Sequence, residues 1–354
     1  MKITHVDVWK HEFQLKTAYA VAYGEFDRAD NVFVRIHTSG GKSGLGCATP
    51  DPHVTGETAV AVHTALRDEA VPRLIGKDPL RLALRMHQLA KPLAPYPSAR
   101  AAVDMALHDI LGLVADLPVY KLLGGFRQQI KTCITVGILP EDETVRASIA
   151  FCKQGFRALK LKGGFDAESD AQRVLAVRAA VGEGIEIRFD ANQGYSLEQA
   201  VTFVDRSRTA RVSVIEQPTP AEQLDSLGRV TRRVSIPVMA DESLITLRDA
   251  FRLARRGLVD MVNVKLMKVG GIAEALAVNA VARAADVEVM VGCMDESAIS
   301  IAAGLHFALA RPNVTFADLD GHLDLIDDPT AGAVLLKDGM LIPNSKPGLG
   351  APDP

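Results

Sequence analysis

Between residues 158 and 265, a series of short apolar runs ends on charged side chains at a nearly constant interval. The endings are ALKLK at Lys160 and Lys162, RFD at Asp190, VIE at Glu216, MAD at Asp241 and VNVK at Lys265. Asp190, Glu216 and Asp241 follow one another after 26 and 25 residues, Lys265 comes 24 later, and Lys162 lies 28 before Asp190. A strand, a helix and two turns use about that length, so the pattern reads as a βα repeat with its polar residue at one end of each strand. In a closed parallel barrel that end is a single mouth.

Strands are expected near 131–136, 158–162, 185–190, 213–216, 236–241, 260–265, 287–292 and 313–318, alternating with helix-length segments at 143–154, 169–181, 197–206, 247–256 and 272–285. Their continuous apolar character fits parallel strands covered by helices. The fold class is therefore α/β, with a closed (β/α)8 barrel or a slightly modified one. An open doubly wound sheet is the alternative, but neither G-x-G-x-x-G nor G-x-x-x-x-G-K-[ST] occurs at a strand–helix turn. Before the barrel, 2–10, 30–38 and 45–49 read as strands of a small mixed domain. A polar, aromatic loop at 17–29 separates the first two, open to motion and placed to cover a site. Helices follow at 58–74 and 98–115, the second with Ser98 as its cap. Gly124-Gly125 marks the boundary. The expected division is 1–125 as a capping domain, 126–320 as the barrel, and 321–354 packing back on the first domain.

The 354 residues are 48% hydrophobic, which allows a large core and more than one domain. A net charge of -3, with no basic block, gives no footprint for nucleic acid or an anionic membrane surface. The first residues keep charges among their apolar positions and no apolar run reaches spanning length, so a signal peptide and a membrane helix are not expected. Cys47, Cys133, Cys152 and Cys293 form no C-x-x-C, which reads as buried thiols in a reducing cytoplasm rather than a zinc site.

Taken singly, each acid at a strand end reads as a cap or salt-bridge partner, and each lysine as a snorkelling side chain. Together they read differently. Asp190, Glu216 and Asp241 supply three hard oxygen ligands of the kind magnesium takes, and a cation explains why three anions share one place. Lys160 and Lys162 share a strand face, and Lys265 enters from across the barrel. A lysine beside another cation has a lowered pKa and becomes an accessible base. Lys160 is placed either to depress Lys162 or to orient a substrate carboxylate. Lys162 and Lys265 would then remove and return a proton on opposite faces of one carbon, next to a carboxylate whose charge magnesium stabilises. Lys268 lies past the strand and is not expected to be the base. Asp241 and Glu242 are adjacent, so one should face the mouth and the other aside.

The ordered segments ALKLKGG, RFDANQGY, VIEQP, MADES and VNVKLMK resemble the enolase superfamily, specifically its muconate-lactonizing subgroup, over nearly the whole chain. The resemblance implies an α+β capping domain on a modified (β/α)7β barrel. It assigns Asp190, Glu216 and Asp241 to Mg2+ and Lys162 and Lys265 to acid–base chemistry. FADLDGH is similar to the D-x-D motif of dipeptide epimerases, which implies that Asp318 and Asp320 receive the α-ammonium of a dipeptide. GCMDES resembles a ligand-binding barrel loop, in which Asp295 or Glu296 contacts the ligand or caps the following helix. The implied function is epimerisation at the C-terminal residue of an L,L-dipeptide, by a homo-oligomer in the cytoplasm. N-acylamino acid racemisation, o-succinylbenzoate synthesis and cycloisomerisation are the rivals, and a non-catalytic binding protein is a more distant one. The loops 17–29 and 48–57 should set side-chain preference. Arg28 stands late in the first loop among Glu25, Asp27 and Asp30, which leaves room for a cationic side chain. Tyr19, Tyr23 and Phe26 leave room for an apolar one.

Overall fold

A computed structural model describes residues 1–21 and 24–351, with the side chains of all of these except 19–21, 24 and 25. Tyr23 lies outside the described residues, as do the side chains of Tyr19 and Glu25. The chain opens with an antiparallel sheet, β1 (Ile3–Val21), β2 (Gly24–Thr38) and β3 (Ser43–Ala48). Of the expected loop at 17–29, residues 17–21 and 24–29 belong instead to the paired strands β1 and β2. The backbone of Tyr19 pairs with Phe26, after a register irregularity between Gln14 and Tyr19. The sequence misled there because β-pairing of a polar arm leaves no alternation of buried and exposed residues to read.

Val32, Val34 and Ile36 pack this sheet against the helix Pro97–Ala115, whose Ala99, Ala102, Val103 and Ala106 are fully buried. Gly46 lets the two elements meet, since a Cβ there would collide with the Ala102 carbonyl oxygen. Ser98 does not cap this helix. Tyr96 is the N-cap, Pro97 fills the first turn, and the Ser98 backbone N–H donates to buried Glu57. The other side of the helix meets the barrel, where Asp104 Oδ2 accepts from the Ile272 N–H at 2.6 Å.

After β4 (Ile130–Lys131), eight parallel strands form one sheet: β5 (Ile134–Val136), β6 (Ala158–Lys162), β7 (Glu186–Asp190), β8 (Ile215–Glu216), β9 (Val238–Ala240), β10 (Met261–Lys265), β11 (Glu288–Gly292) and β12 (Val314–Asp318). They neighbour one another in chain order from β5 to β12. The seam between β5 and β12 is drawn together by a Thr132–Ala317 bridge and by the Cys133 N–H on the Ala317 carbonyl. Near the mouth the ladder gives way to a side chain, as Asp320 Oδ2 accepts from the Thr135 N–H at 2.7 Å. The fold is therefore a near-closed TIM-like barrel with an α+β cap. Helices at Leu82–Ala90 and Leu224–Arg233 were not anticipated in sequence, and the one expected after Glu296 spans Ala298–Ala310. The last is apolar on every face because it is buried throughout, so it carries no amphipathic period to read.

Each strand sends alternate residues inward. In β7, Ile187 and Phe189 join the core under the helices, while Glu186, Arg188 and Asp190 face the barrel axis. The tail runs back along the first segment: the Lys16 N–H donates to Asp324, the Ile326 N–H to Gln14, and the Val119 N–H to Gly348. A hairpin of β13 (Val334–Lys337) and β14 (Met340–Pro343) pairs with β4.

Candidate active site

Strand register puts the charged endings at one level, since Lys162 pairs with Asp190 and Asp190 with Glu216. Asp241 follows β9 directly, and Lys265 closes β10. In an eight-stranded ring β6 and β10 are four strands apart, so Lys162 and Lys265 approach from opposite walls. Between the walls lies a cavity of about 800 Å³, lined by Lys160, Lys162, Asp241, Glu242, Lys265, Asp318 and Asp320 below and by Lys16, Phe26, Arg28 and Asp51 from the cap.

Within this mouth Asp190, Asp241 and Asp318 each face a lysine. Lys162 Nζ lies 2.6 Å from Asp190 Oδ2, and Lys265 Nζ 2.9 Å from Asp241 Oδ2. Lys160 contacts Asp318 and lies 3.7 Å from both Asp190 and Glu216. Burial disfavours the Lys265 ammonium, but the carboxylates around it, Asp241 first, outweigh burial and raise its pKa well above the ordinary value. The same balance raises Lys160, through Asp318, Glu216 and Asp190. A depressed lysine is thus not found at Lys265 or Lys160 in this arrangement. Burial would raise the Asp241 carboxyl, yet Lys265 and Lys268 hold it below the carboxylate range.

Glu216 is the exception. Its Oε1 accepts from Asn263 Nδ2 at 2.6 Å, while Oε2 is buried without a hydrogen-bond partner. Burial first, then Asp190, pushes this carboxyl up to about 8. Glu242 was expected to face either the mouth or aside, and in fact both it and Asp241 line the cavity. Burial first, then Asp241, raises Glu242 to about 7, and its Oε2 also lacks a partner. Orphaned carboxylate oxygens beside other buried acids are what a divalent cation would satisfy, so the donor set suits a hard ion such as magnesium. Among the described residues no group of three or more His, Cys, Asp or Glu side chains is already drawn into a grip on a metal. The acids are turned toward the lysines instead.

Neutral side chains hold these acids in place, and sequence reading overlooked them. Gln217 sits at φ 30°, and its Oε1 accepts from the N–H groups of Asp241 and Ser243 at 2.9 and 3.1 Å. Asn192, at φ 41°, donates its N–H to Asp190 Oδ1 at 2.9 Å. The signal was present in ANQG and EQP, polar residues just past strand ends where a tight left-handed turn favours Asn. Lys268 is no surface residue. It is fully buried on the segment Leu266–Val269 and bonds both the carboxylate and the backbone carbonyl of Asp241.

Asp318 and Asp320 both line the cavity, but neither is a free anion. Asp318 is engaged by Lys160 and by Cys133 Sγ at 3.0 Å; burial pushes it up and Lys160 pulls it back, to about 2. Asp320 is raised to about 6 by burial and then by Asp318. Asp295 lines the cavity, and its carbonyl accepts from Asn31 Nδ2. Glu296 is buried beneath, raised by burial to about 8, with Oε1 accepting from the Met294 N–H. The helix Ala298–Ala310 takes its first-turn bonds from Asp328 and Thr330, so neither Asp295 nor Glu296 is its cap.

Residues 3–124 match the mandelate racemase/muconate lactonizing enzyme N-terminal domain, and residues 144–352 match the enolase C-terminal domain-like family. The L-Lys-D/L-Arg epimerase of Methylococcus capsulatus is 39% identical over 351 residues, 99% of each chain. The dipeptide epimerase of Enterococcus faecalis, solved with Mg and L-Leu-L-Tyr, superposes with a TM-score of 0.96 at 38% identity over 99% of both chains. The substrate-liganded L-Ala-D/L-Glu epimerase of Bacillus subtilis does so with 0.96 at 35% identity over 99% of both.

Proposed function

The chain belongs to the enolase superfamily, in its muconate-lactonizing subgroup, and from that premise we infer that it is a magnesium-dependent dipeptide epimerase. It is an isomerase, and its substrate is a small peptide. No helix among the described residues is long and apolar enough to cross a membrane.

The observation that carries the residue assignments is the pairing of Lys162 and Lys265 across the mouth, each against an acid. We assign the two lysines as the bases on opposite faces of the α-carbon, one removing the proton and the other returning one to the planar carbon. We assign Asp190, Glu216 and Asp241 to magnesium, whose bound charge stabilises the negative charge that develops on the substrate carboxylate. Lys160, paired with Asp318, orients that carboxylate. Asp320, two residues past Asp318 at the end of β12, receives the ammonium of the N-terminal residue together with Asp318. Asp295 lines the cavity toward the cap, and Glu296 supports it from below.

We further propose that the preferred dipeptide carries a cationic side chain. Asp30, Asp51, Asp295 and Asp324 line the cavity above the mouth, against Lys16 and Arg28. Arg28 is committed to Asp27 at 3.1 Å and Glu12 at 3.6 Å. Relatives that are L-Lys-D/L-Arg epimerases point the same way. The working division of the chain is a cap at 1–125, the barrel at 126–320 and a returning segment at 321–354. Four free thiols among the described residues fit a cytoplasmic setting, and a homo-oligomer is the assembly proposed.

The test is α-proton exchange in D2O with magnesium across a library of L,L-dipeptides, read by mass spectrometry. Deuterium should enter a restricted set rich in Lys and Arg. Exchange confined to acidic or apolar dipeptides would remove the cationic preference. No exchange with any dipeptide, from folded and metal-loaded protein, would move the function to the acylated-amino-acid and cycloisomerase chemistries.

A further inference from the structure

The end of β6 is gripped from behind by a buried charge pair that does not reach the cavity. Arg173, on the helix Ala167–Val181, donates from Nη2 to the backbone carbonyl of Lys162 at 2.6 Å and to Asp170 Oδ1 at 2.5 Å. Asp170 Oδ2 accepts from the Gly164 N–H at 2.9 Å and from the Tyr195 hydroxyl at 2.6 Å. The chain is thus held on both sides of Gly163, whose own N–H donates to the Asp190 carbonyl at 2.9 Å.

The turn between these contacts has little freedom. A Cβ at Gly163 would collide with Phe189 and Asp170, and Gly164 has φ +113° with the Ala191 carbonyl against it. Tyr195 is itself anchored, by its N–H on Pro218 and by stacking on Phe189 at 6.2 Å between centroids. Asp170, Arg173 and Tyr195 are all buried, and none lines the cavity.

A buried ion pair is a weak source of stability, since well-packed apolar replacements are often neutral or better. What this pair supplies is direction. The guanidinium fixes the Lys162 and Leu139 carbonyls and one carboxylate at once, and that carboxylate fixes the next turn and a phenol. We propose that Asp170, Arg173 and Tyr195 form a clamp that positions Lys162 and so controls proton transfer on one face of the substrate. The proposal rests on Lys162 being one of two opposed bases. The three are positioning residues, and displacing a reacting group by about 1 Å can cost about 10²-fold in rate.

The experiment compares wild type with Arg173→Met, Arg173→Lys and Tyr195→Phe, as magnesium-loaded full-length proteins. The substrates are the L,L and L,D forms of a dipeptide that the wild type exchanges. Early α-proton exchange with D2O is read separately from each epimer. Arg173→Met should lower exchange from one epimer by about 10- to 100-fold and from the other by less than about threefold. The impaired epimer should be the one impaired in Lys162→Ala. Arg173→Lys should recover part of the loss, and Tyr195→Phe should show the same asymmetry more weakly. Equal loss from both epimers, or a parallel fall in magnesium affinity by calorimetry, would mean a scaffold role only and overturn the clamp.

A second readout needs no substrate. With ε-13C-lysine labelling, the Lys162 resonance, assigned through Lys162→Arg, should move in Arg173→Met while that of Lys265 stays. An unmoved Lys162 resonance overturns the proposal. Should the wild type exchange no dipeptide, the two-base reading fails and the resonance still decides the clamp. Should Arg173→Met not fold, Tyr195→Phe carries both readouts.

Discussion

The two ends of the barrel are built from the same strands and hold opposite contents. At the mouth, the buried Lys160, Asp190, Glu216, Asp241, Lys265 and Asp318 and the part-buried Lys162 crowd into one cluster of charge. Toward the floor, the inward positions are Val214, Met239, Met261 and Met290, with Phe316 packed against them. β7 shows the change within one strand, since Asp190 belongs to the mouth while Arg188, two residues earlier, lies 4.6 Å over the Phe316 ring. The mouth holds acids that repel one another and an orphaned Glu216 oxygen, an arrangement that stores cost for use with a bound cation and an anionic substrate. The floor is adaptable apolar packing, which fixes the barrel and touches nothing that reacts.

If the ends divide the work in this way, substitutions should separate activity from stability. The largest effect belongs to the mouth. Lys162→Ala and Lys265→Ala should each lower epimerisation by about 10²- to 10⁴-fold or more, the range for loss of a positioned acid–base group. Melting with magnesium present should change by no more than a few degrees, because neither lysine is a packing centre. Steady-state kinetics beside a thermal melt decides this. Normal turnover in either variant would falsify the two-base assignment. Next in size is the floor. Met290 is fully buried, and Met290→Ala should cost about 2–5 kcal/mol of folding stability by leaving a cavity. The folded fraction should keep kcat within about twofold. A proportionate loss of kcat at temperatures where the variant is fully folded would break the division.

The same contrast explains what could be read in the sequence. The mouth was legible because strand period and repeat length both place Asp190, Glu216, Asp241 and Lys265 at equivalent positions, and four coincidences constrain far more than one. The eight barrel strands were legible for the same reason. Residues that act through another residue were not. Gln217, Asn263 and Lys268 each recur nowhere, and their value lies in contacts to Asp241 or Glu216 made 24 to 47 positions away. Asp170 and Arg173 read as an ordinary i,i+3 pair on a helix, and only the fold puts the Lys162 carbonyl within reach of the guanidinium. The surroundings of Lys160 were hidden for a related reason. The sequence pairs Lys160 with Lys162, whereas the fold gathers three carboxylates, Asp318, Asp190 and Glu216, around Lys160. The first hairpin was misjudged because its partner strand, not its own pattern, makes 17–21 extended.

The finest test falls where the two ends meet, at Arg188. This side chain is buried in the barrel, with Nε on Glu186 at 2.7 Å and Nη1 on the Ala317 carbonyl at 2.8 Å. Its removal strands neither partner. Glu186 keeps Lys131, and the Ala317 carbonyl keeps the Cys133 N–H. One guanidinium nitrogen, Nη2, is already buried without a partner, so the charge is incompletely satisfied as it stands. Arg188→Met replaces it with a flexible apolar chain beside Met290, in surroundings that suit one. Glu186 stays charged and loses one charge-assisted bond while keeping Lys131, so stability should fall by about 1–3 kcal/mol. Magnesium affinity by calorimetry should stay within about twofold, because Asp190 draws its bonds from Lys162 and Asn192 rather than from below. A tenfold fall in affinity would show that the field of Arg188 reaches the acids above it, and that mouth and floor are one electrostatic unit rather than two.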